Sequence, residues 1–167
     1  MTSRRRFVSG LAAGLVVPWS RQAFAQTRNL MAMAAEIGSF KQLQRAIEVA
    51  DLTEALEGEG PFTLFAPTDE AFSKLPKAAL EDLLRPHNLE KLNKILKHHV
   101  LAGRVVSKDF LGKRLEAVPL AGEALLLDAR KQMKIGGAKI VRTDILATNG
   151  VMHVIDTVLV PQLDDAQ

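Results

Sequence analysis

Phe40, Leu43, Ile47 and Ala50 recur at helical spacing with Lys41, Gln44, Arg45 and Glu48 between them, which predicts an amphipathic helix of about three turns. Asp51-Leu52-Thr53-Glu54 has capping-box spacing, so a short helix should run to Leu56 and stop at Gly58-Glu59-Gly60-Pro61. Phe62-Thr63-Leu64-Phe65 reads as a strand between that turn and Pro67. Thr68 is placed as an N-cap: Asp69 and Glu70 sit where the helix dipole favours acids, and Ala71, Phe72 and Leu75 form the buried side before Pro76. Ala79, Leu80, Leu83 and Leu84 predict another helix ending ahead of Pro86. Asn88 is a candidate cap for a third, in which Leu89, Leu92, Ile95, Leu96 and His99 share one face while Glu90, Lys91, Lys94 and Lys97 face water.

Beyond Gly103 the period changes. β-Branched and aliphatic segments separated by turns, 115–118, 124–128, 132–135, 139–142 and 151–160, read as strands. Gly136-Gly137 and Asn149-Gly150 are placed to supply the positive φ angles of tight turns. Helices followed by consecutive strands predict an α+β fold or a helix-decorated β-sandwich, and argue against a parallel α/β sheet.

Charge matters through its distribution. The 167 residues carry 22 Lys+Arg and 19 Asp+Glu, but Arg4, Arg5, Arg6 and Arg21 stand in the first 25 positions with no acid among them. The remainder holds 18 basic and 19 acidic residues, which removes the support for a nucleic-acid partner. The front segment instead reads as an export signal: a basic start, a mild apolar run from Val8 to Val17 too short to span a bilayer, and Ala23-Phe24-Ala25 with small residues where a signal peptidase reads. Ser3-Arg4-Arg5-Arg6-Phe7-Val8 resembles the twin-arginine signal of bacteria. A mature chain from Gln26 is one domain's worth, located in the periplasm or secreted, with no membrane segment of its own. Residues 26–32 read as an N-terminal extension, 33–161 as the domain and 162–167 as a polar tail.

Specific strings then carry more than periodicity. Gly60-Pro61-Phe62-Thr63-Leu64-Phe65-Ala66-Pro67-Thr68-Asp69-Glu70-Ala71-Phe72 resembles the first signature of the fasciclin domain, and Asn149-Gly150-Val151-Met152-His153-Val154-Ile155-Asp156-Thr157-Val158-Leu159-Val160-Pro161 resembles the second. Leu96-Lys97-His98-His99-Val100 followed by Gly103 is similar to the family's central histidine segment. The resemblance implies a compact β-sandwich or wedge of about seven strands flanked by helices, in exported proteins that mediate adhesion to cells or matrix. It implies a cell-surface protein or glycan as partner and no cofactor; the oligomeric state stays open. In animal members, integrin binding is associated with an Asp-Ile dipeptide ahead of the second signature and with a Tyr-His segment. Here Asp144-Ile145 occupies the first place, and His98 stands where the Tyr would precede His99, so Asp144, Ile145 and His98 are the candidate partner-binding residues. The alternative reading of the same two, Ile145 in the core and Asp144 capping a turn, is favoured.

The remaining signature residues point to structure. Thr68, Asn149 and Gly150 set a helix start and a turn; His99 lies on an inward helix face; His153 sits in a strand with Asp156 near it in sequence. His87 and His98 read as exposed. Adjacent His98 and His99 leave a helix on different faces, unlike the i, i+4 pair that grips one metal, so no metal site is expected. The chain contains no Cys or Tyr, and Ser39, Ser73 and Ser107 lie outside any Gly-x-Ser-x-Gly turn. Capping explains Asp51 with Glu54 and Asp69 with Glu70 more simply than glycosidic chemistry. A non-enzymatic binding module is expected, with a periplasmic module for a lipid, pigment or glycan as the alternative, and an enzyme built on His153 and Asp156 as the weaker third.

Overall fold

Two short strands with no polar face organise the molecule. The computed structural model describes residues 28–161; the export signal, with Arg4, Arg5, Ala23 and Ala25, and the tail 162–167 lie outside them. Strand β1 (Phe62–Pro67) and strand β7 (Gly150–Ile155) are buried nearly throughout, as strands covered on both faces are, with Thr63 and His153 the polar residues among their apolar ones. They pair in parallel, from Phe62 opposite Gly150 to Pro67 opposite Ile155. Around them are β2 (Val100–Ala102), β3 (Arg114–Ala117), β4 (Leu125–Asp128), β5 (Lys134–Ile135) and β6 (Ala138–Ala147). The order is β2-β1-β7-β6-β5-β4-β3, and every neighbouring pair except β1–β7 is antiparallel. Strand β6 is the seam: register shifts between Ile140 and Arg142, and again between Arg142 and Ile145, let one strand pair with β5 at its start and with β7 along its length.

Side-chain alternation then divides the interior. Leu64, Ala66, Met152 and Val154 face a core roofed by helices α1 (Leu30–Ile37), α2 (Lys41–Val49), α3 (Thr53–Glu57), α4 (Asp69–Ser73), α5 (Lys77–Leu83) and α6 (Leu89–His98). Phe65 and Ile155 face a second core, closed by Leu127, Ile135 and Ile140 of the outer strands and by Phe110 of α7 (Ser107–Phe110). The wedge expected from the resemblance is this arrangement, a mixed seven-stranded sheet and seven helices among the described residues.

Several local expectations hold. Thr68 Oγ1 accepts from the Ala71 N–H at 3.2 Å, with Asp69 and Glu70 in the first turn. Gly136 and Gly137 take φ of 54° and 88° in the two-residue turn between β5 and β6. Others need correction. Asp51 does not cap α3; it takes φ of 56°, and Leu52 occupies the cap position. Asn88 turns away from α6, and its Nδ2 donates to Asp82 O and Oδ2 at 2.8 Å each. The turn between β6 and β7 is Thr148-Asn149, without positive φ. Gly150 is required there for a different reason, since a Cβ on it would collide with the Phe62 carbonyl oxygen across the parallel pair. The last strand stops at Ile155, and the preceding one extends to Ala147. Helix α1 begins at Leu30, which is fully buried.

Candidate functional site

Asp144 breaks β6 at its second register shift, with φ of 58°, a left-handed conformation that Asp tolerates better than β-branched neighbours would. Its Oδ1 accepts from the Ser107 N–H at 2.8 Å and its Oδ2 from the Ser107 hydroxyl, so the carboxylate caps the start of α7 across 37 residues of chain. Burial raises the affinity of this carboxyl for a proton, but the two Ser107 hydrogen bonds, helped by the nearby Lys108 charge, outweigh it and hold the group below the ordinary Asp range. The Asp144 N–H donates to His153 Nδ1 at 3.3 Å. His153 is fully buried, stacked on Phe65 at 5.4 Å with Phe110 edge-on at 5.6 Å. Its Nε2 donates to the Val105 carbonyl at 2.7 Å. Accepting at Nδ1 and donating at Nε2 describes a neutral imidazole, and burial lowers its pKa accordingly.

Ser107, Asp144 and His153 are thus neighbours without being a nucleophilic triad. Both ring nitrogens are committed to backbone groups, so the ring offers no base to the Ser107 hydroxyl. Nor does His153 pair with Asp156, whose Oδ1 accepts from Lys139 N–H at 3.0 Å and from the Thr157 hydroxyl at 3.0 Å. His99 repeats the pattern of internal use: Nδ1 donates to Ile95 O at 2.7 Å, Nε2 accepts from Leu159 N–H at 2.9 Å, and burial holds its pKa down at about 4. Among the described residues no group of three or more His, Asp and Glu could hold a metal ion.

The three candidate partner-binding residues are not brought together on a surface. Asp144 is exposed; Ile145 is 8% exposed and belongs to the helix-roofed core. His98, expected at the surface, is 3% exposed. The end of α6 is tucked against the β5–β6 turn, so His98 shares its surroundings with Leu125, Gly136 and Gly137, while His87 is exposed as expected. Burial lowers the His98 pKa, with Glu123 opposing and Lys94 assisting. Asn149 has a larger role than turn geometry: its Oδ1 accepts from Leu30 N–H at 3.0 Å, and its Nδ2 donates to Leu56 O at 2.6 Å and Gly58 O at 3.1 Å, tying α1 and the end of α3 to the β6–β7 turn. An Asn directly before Gly was legible as a turn; the long-range bonds had no local signal. The structure also holds an apolar cavity of about 240 Å³ beneath α5, walled by Leu43, Phe72, Leu80, Leu92 and His99.

A family model described as the fasciclin domain matches residues 38–161. The chain belongs to the fasciclin domain family. Protein sll1483 of Synechocystis sp. is 41% identical over 145 residues, covering 86% of this chain and 79% of that protein. The transforming growth factor-beta-induced protein ig-h3 of Sus scrofa is 37% identical over 129 residues, 77% of this chain but 18% of that much longer relative. Among solved structures, a FAS1 domain pair from the insect cell adhesion molecule Fasciclin I matches with a TM-score of 0.52 at 22% identity, covering 76% of this chain and 47% of that one, which supports the fold. No helix among the described residues is long and apolar enough to cross a membrane.

Proposed function

We propose that this fasciclin domain is exported and works without catalysis, by binding a protein or glycan partner on a cell or matrix surface. One observation carries the reading: His99 of the central segment, His153 and Asn149 of the second signature, and Asp144 ahead of it all bond the protein's own backbone, which leaves interaction to the surface. The domain's likeness to a part of a cell adhesion molecule supports the same reading. The proposed contact is the bend of β6 at Asp144, with exposed Arg142 and Leu146 on either side of it. Ile145 acts from beneath, in the helix-roofed core, and His98, tucked against the β5–β6 turn, has no part in this contact. Labelled, folded protein should bind intact cells saturably and be displaced by unlabelled protein. Arg142→Ala with Leu146→Ala, which spares the Asp144–Ser107 bonds, should abolish that binding; unchanged binding would remove the patch. Lysine replacement of Arg4 and Arg5 should hold the protein in the cytoplasm, and the exported form should begin at Gln26.

The cavity beneath α5 favours a second reading, a periplasmic module for a small apolar molecule. Native mass spectrometry of protein taken from the periplasm separates the two, since a retained molecule that is lost when Ala46→Phe fills the cavity belongs to this reading alone.

A further inference from the structure

The outer face of the β3–β6 half of the sheet carries charge in an ordered way that the fold does not use. Register places Arg114 of β3 opposite Asp128 of β4, Asp128 opposite Lys134 of β5, and Lys134 opposite Lys139 of β6. Directly opposed residues in antiparallel strands point to the same face, so these four form one row, about 14 Å long at ~4.8 Å per strand. The residues of the opposite parity, Leu127, Ile135 and Ala138, are buried in the second core, which fixes the row on the solvent side. Arg114, Lys134 and Lys139 are exposed, and none has a carboxylate partner within ion-pair distance among the described residues. Asp128 is held by Arg130, whose N–H and Nε donate to Oδ1 at 3.1 Å each while an Nη donates to Oδ2 at 2.8 Å. The fork neutralises the one acid in the row, which leaves Arg114, Lys134 and Lys139 as its net charge. Lys131 and Gln132 border the same open cleft next to Lys134.

This concentration is local. Positions 113–139 hold Lys113, Arg114, Arg130, Lys131, Lys134 and Lys139 against Glu116, Glu123 and Asp128, whereas positions 48–59 hold Glu48, Asp51, Glu54, Glu57 and Glu59 and no base. A near-neutral domain with one basic sheet face focuses anions there. We propose that the outer face of β3–β6 is a binding surface for an acidic polysaccharide. Three features select that class of polyanion. The exposed large apolar residues of the described structure are all Leu and Val, so bases would find no aromatic platform to stack on. A flat row of separated cations suits a linear chain of spaced carboxylates. Asp128 oxygens and the Gln132 amide amid the cations suit a ligand that offers hydroxyls as well as charge, which polyphosphates lack. The surface is separate from the Asp144 bend and does not depend on it.

The test is a titration of the full mature chain with polygalacturonate at low and physiological salt, beside neutral dextran, duplex DNA and phosphatidylglycerol vesicles. The expected result is saturable binding of polygalacturonate, none of dextran, and weakening as salt rises. Lys134→Gln with Lys139→Gln should lower the affinity at least about tenfold and flatten its salt dependence, as loss of two ion-releasing contacts requires. Lys91→Gln with Lys97→Gln on α6 should leave binding as in the native protein, and thermal midpoints should confirm that both doubles are folded. Absence of polygalacturonate binding, or binding indifferent to Lys134 and Lys139, overturns the proposal. Tighter binding of DNA or vesicles that depends on the same lysines overturns it too, by assigning the face to another class of partner.

Discussion

His99 shows how much one buried side chain can decide. Its ring is neutral in the folded protein, donating to Ile95 and accepting from Leu159, with the pKa pushed by burial to about 4 from an ordinary 6.5. The unfolded chain therefore binds the proton more readily. Stability from this group is whole above about pH 6.5, declines as pH falls toward 4, and amounts to roughly 3 kcal/mol. His153, lowered in the same direction, adds to the decline, and the depressed Asp144 and Asp156 extend it below the ordinary Asp range. Urea titrations at a series of pH values should show this acid loss, and His99→Phe should flatten it while costing about 2–4 kcal/mol at pH 7, because the buried Leu159 N–H loses its acceptor. Asp144 permits a sharper comparison. Asn keeps an acceptor for Ser107 N–H and tolerates positive φ, whereas Ala does neither, so Asp144→Ala should cost about 1–2 kcal/mol more than Asp144→Asn. Equal costs would mean that the bend does not rely on that bond.

The turn before β7 joins elements that sequence keeps far apart. Asn149→Ala removes three hydrogen bonds and leaves Leu30 N–H and Leu56 O without their partner, so it should destabilise by about 2–4 kcal/mol and raise hydrogen exchange first in α1 and α3. Gly150→Ala should be worse, since the added methyl wedges β7 from β1 at Phe62; a soluble variant with a native melting curve would refute the close approach. Helices α2, α4, α5 and α6 were legible from a local code: Leu92, Ile95, Leu96 and His99 state the buried face of α6, and Thr68-Asp69-Glu70 states the start of α4, whereas α1 begins inside the stretch that reads as an N-terminal extension. The register of β6 was not, because a strand that shifts twice and serves both halves of the sheet has no single period. Strand β2 is three residues long, and α7 four, too short for any period to emerge. Burial of His98 escaped for a related reason. Its position on α6 faces away from the apolar stripe, and only the β5–β6 turn packing from the other side covers it.

Strands β1 and β7 belong to both cores, so the two cores should not unfold separately. Leu64 and Phe65 are neighbours in sequence and point to opposite cores, yet Leu64→Ala and Phe65→Ala should each lower one common transition, by about 3–5 kcal/mol, without splitting it. Helix α5 stands apart from this cooperative unit. None of its residues is fully buried, Leu80 and Leu83 only lean on the helix-roofed core, and the cavity separates it from the floor that Leu43 and Leu92 provide. A helix of seven residues with so little buried surface has little to hold it when its neighbours stay folded. Exchange of amides 77–84 should therefore occur by local opening, much faster than in α2 or α6. Leu80→Ala should quicken that exchange while shifting global stability by under about 1 kcal/mol, against about 2–5 kcal/mol for Leu43→Ala in α2. The same measurement bears on the cavity. If α5 opens alone, the partly open cavity can widen to admit a small apolar molecule, and its binding should slow exchange in 77–84 before it changes the melting temperature. If 77–84 exchanges only together with α2 and α6, the helix is locked to the core and the cavity cannot widen on that side.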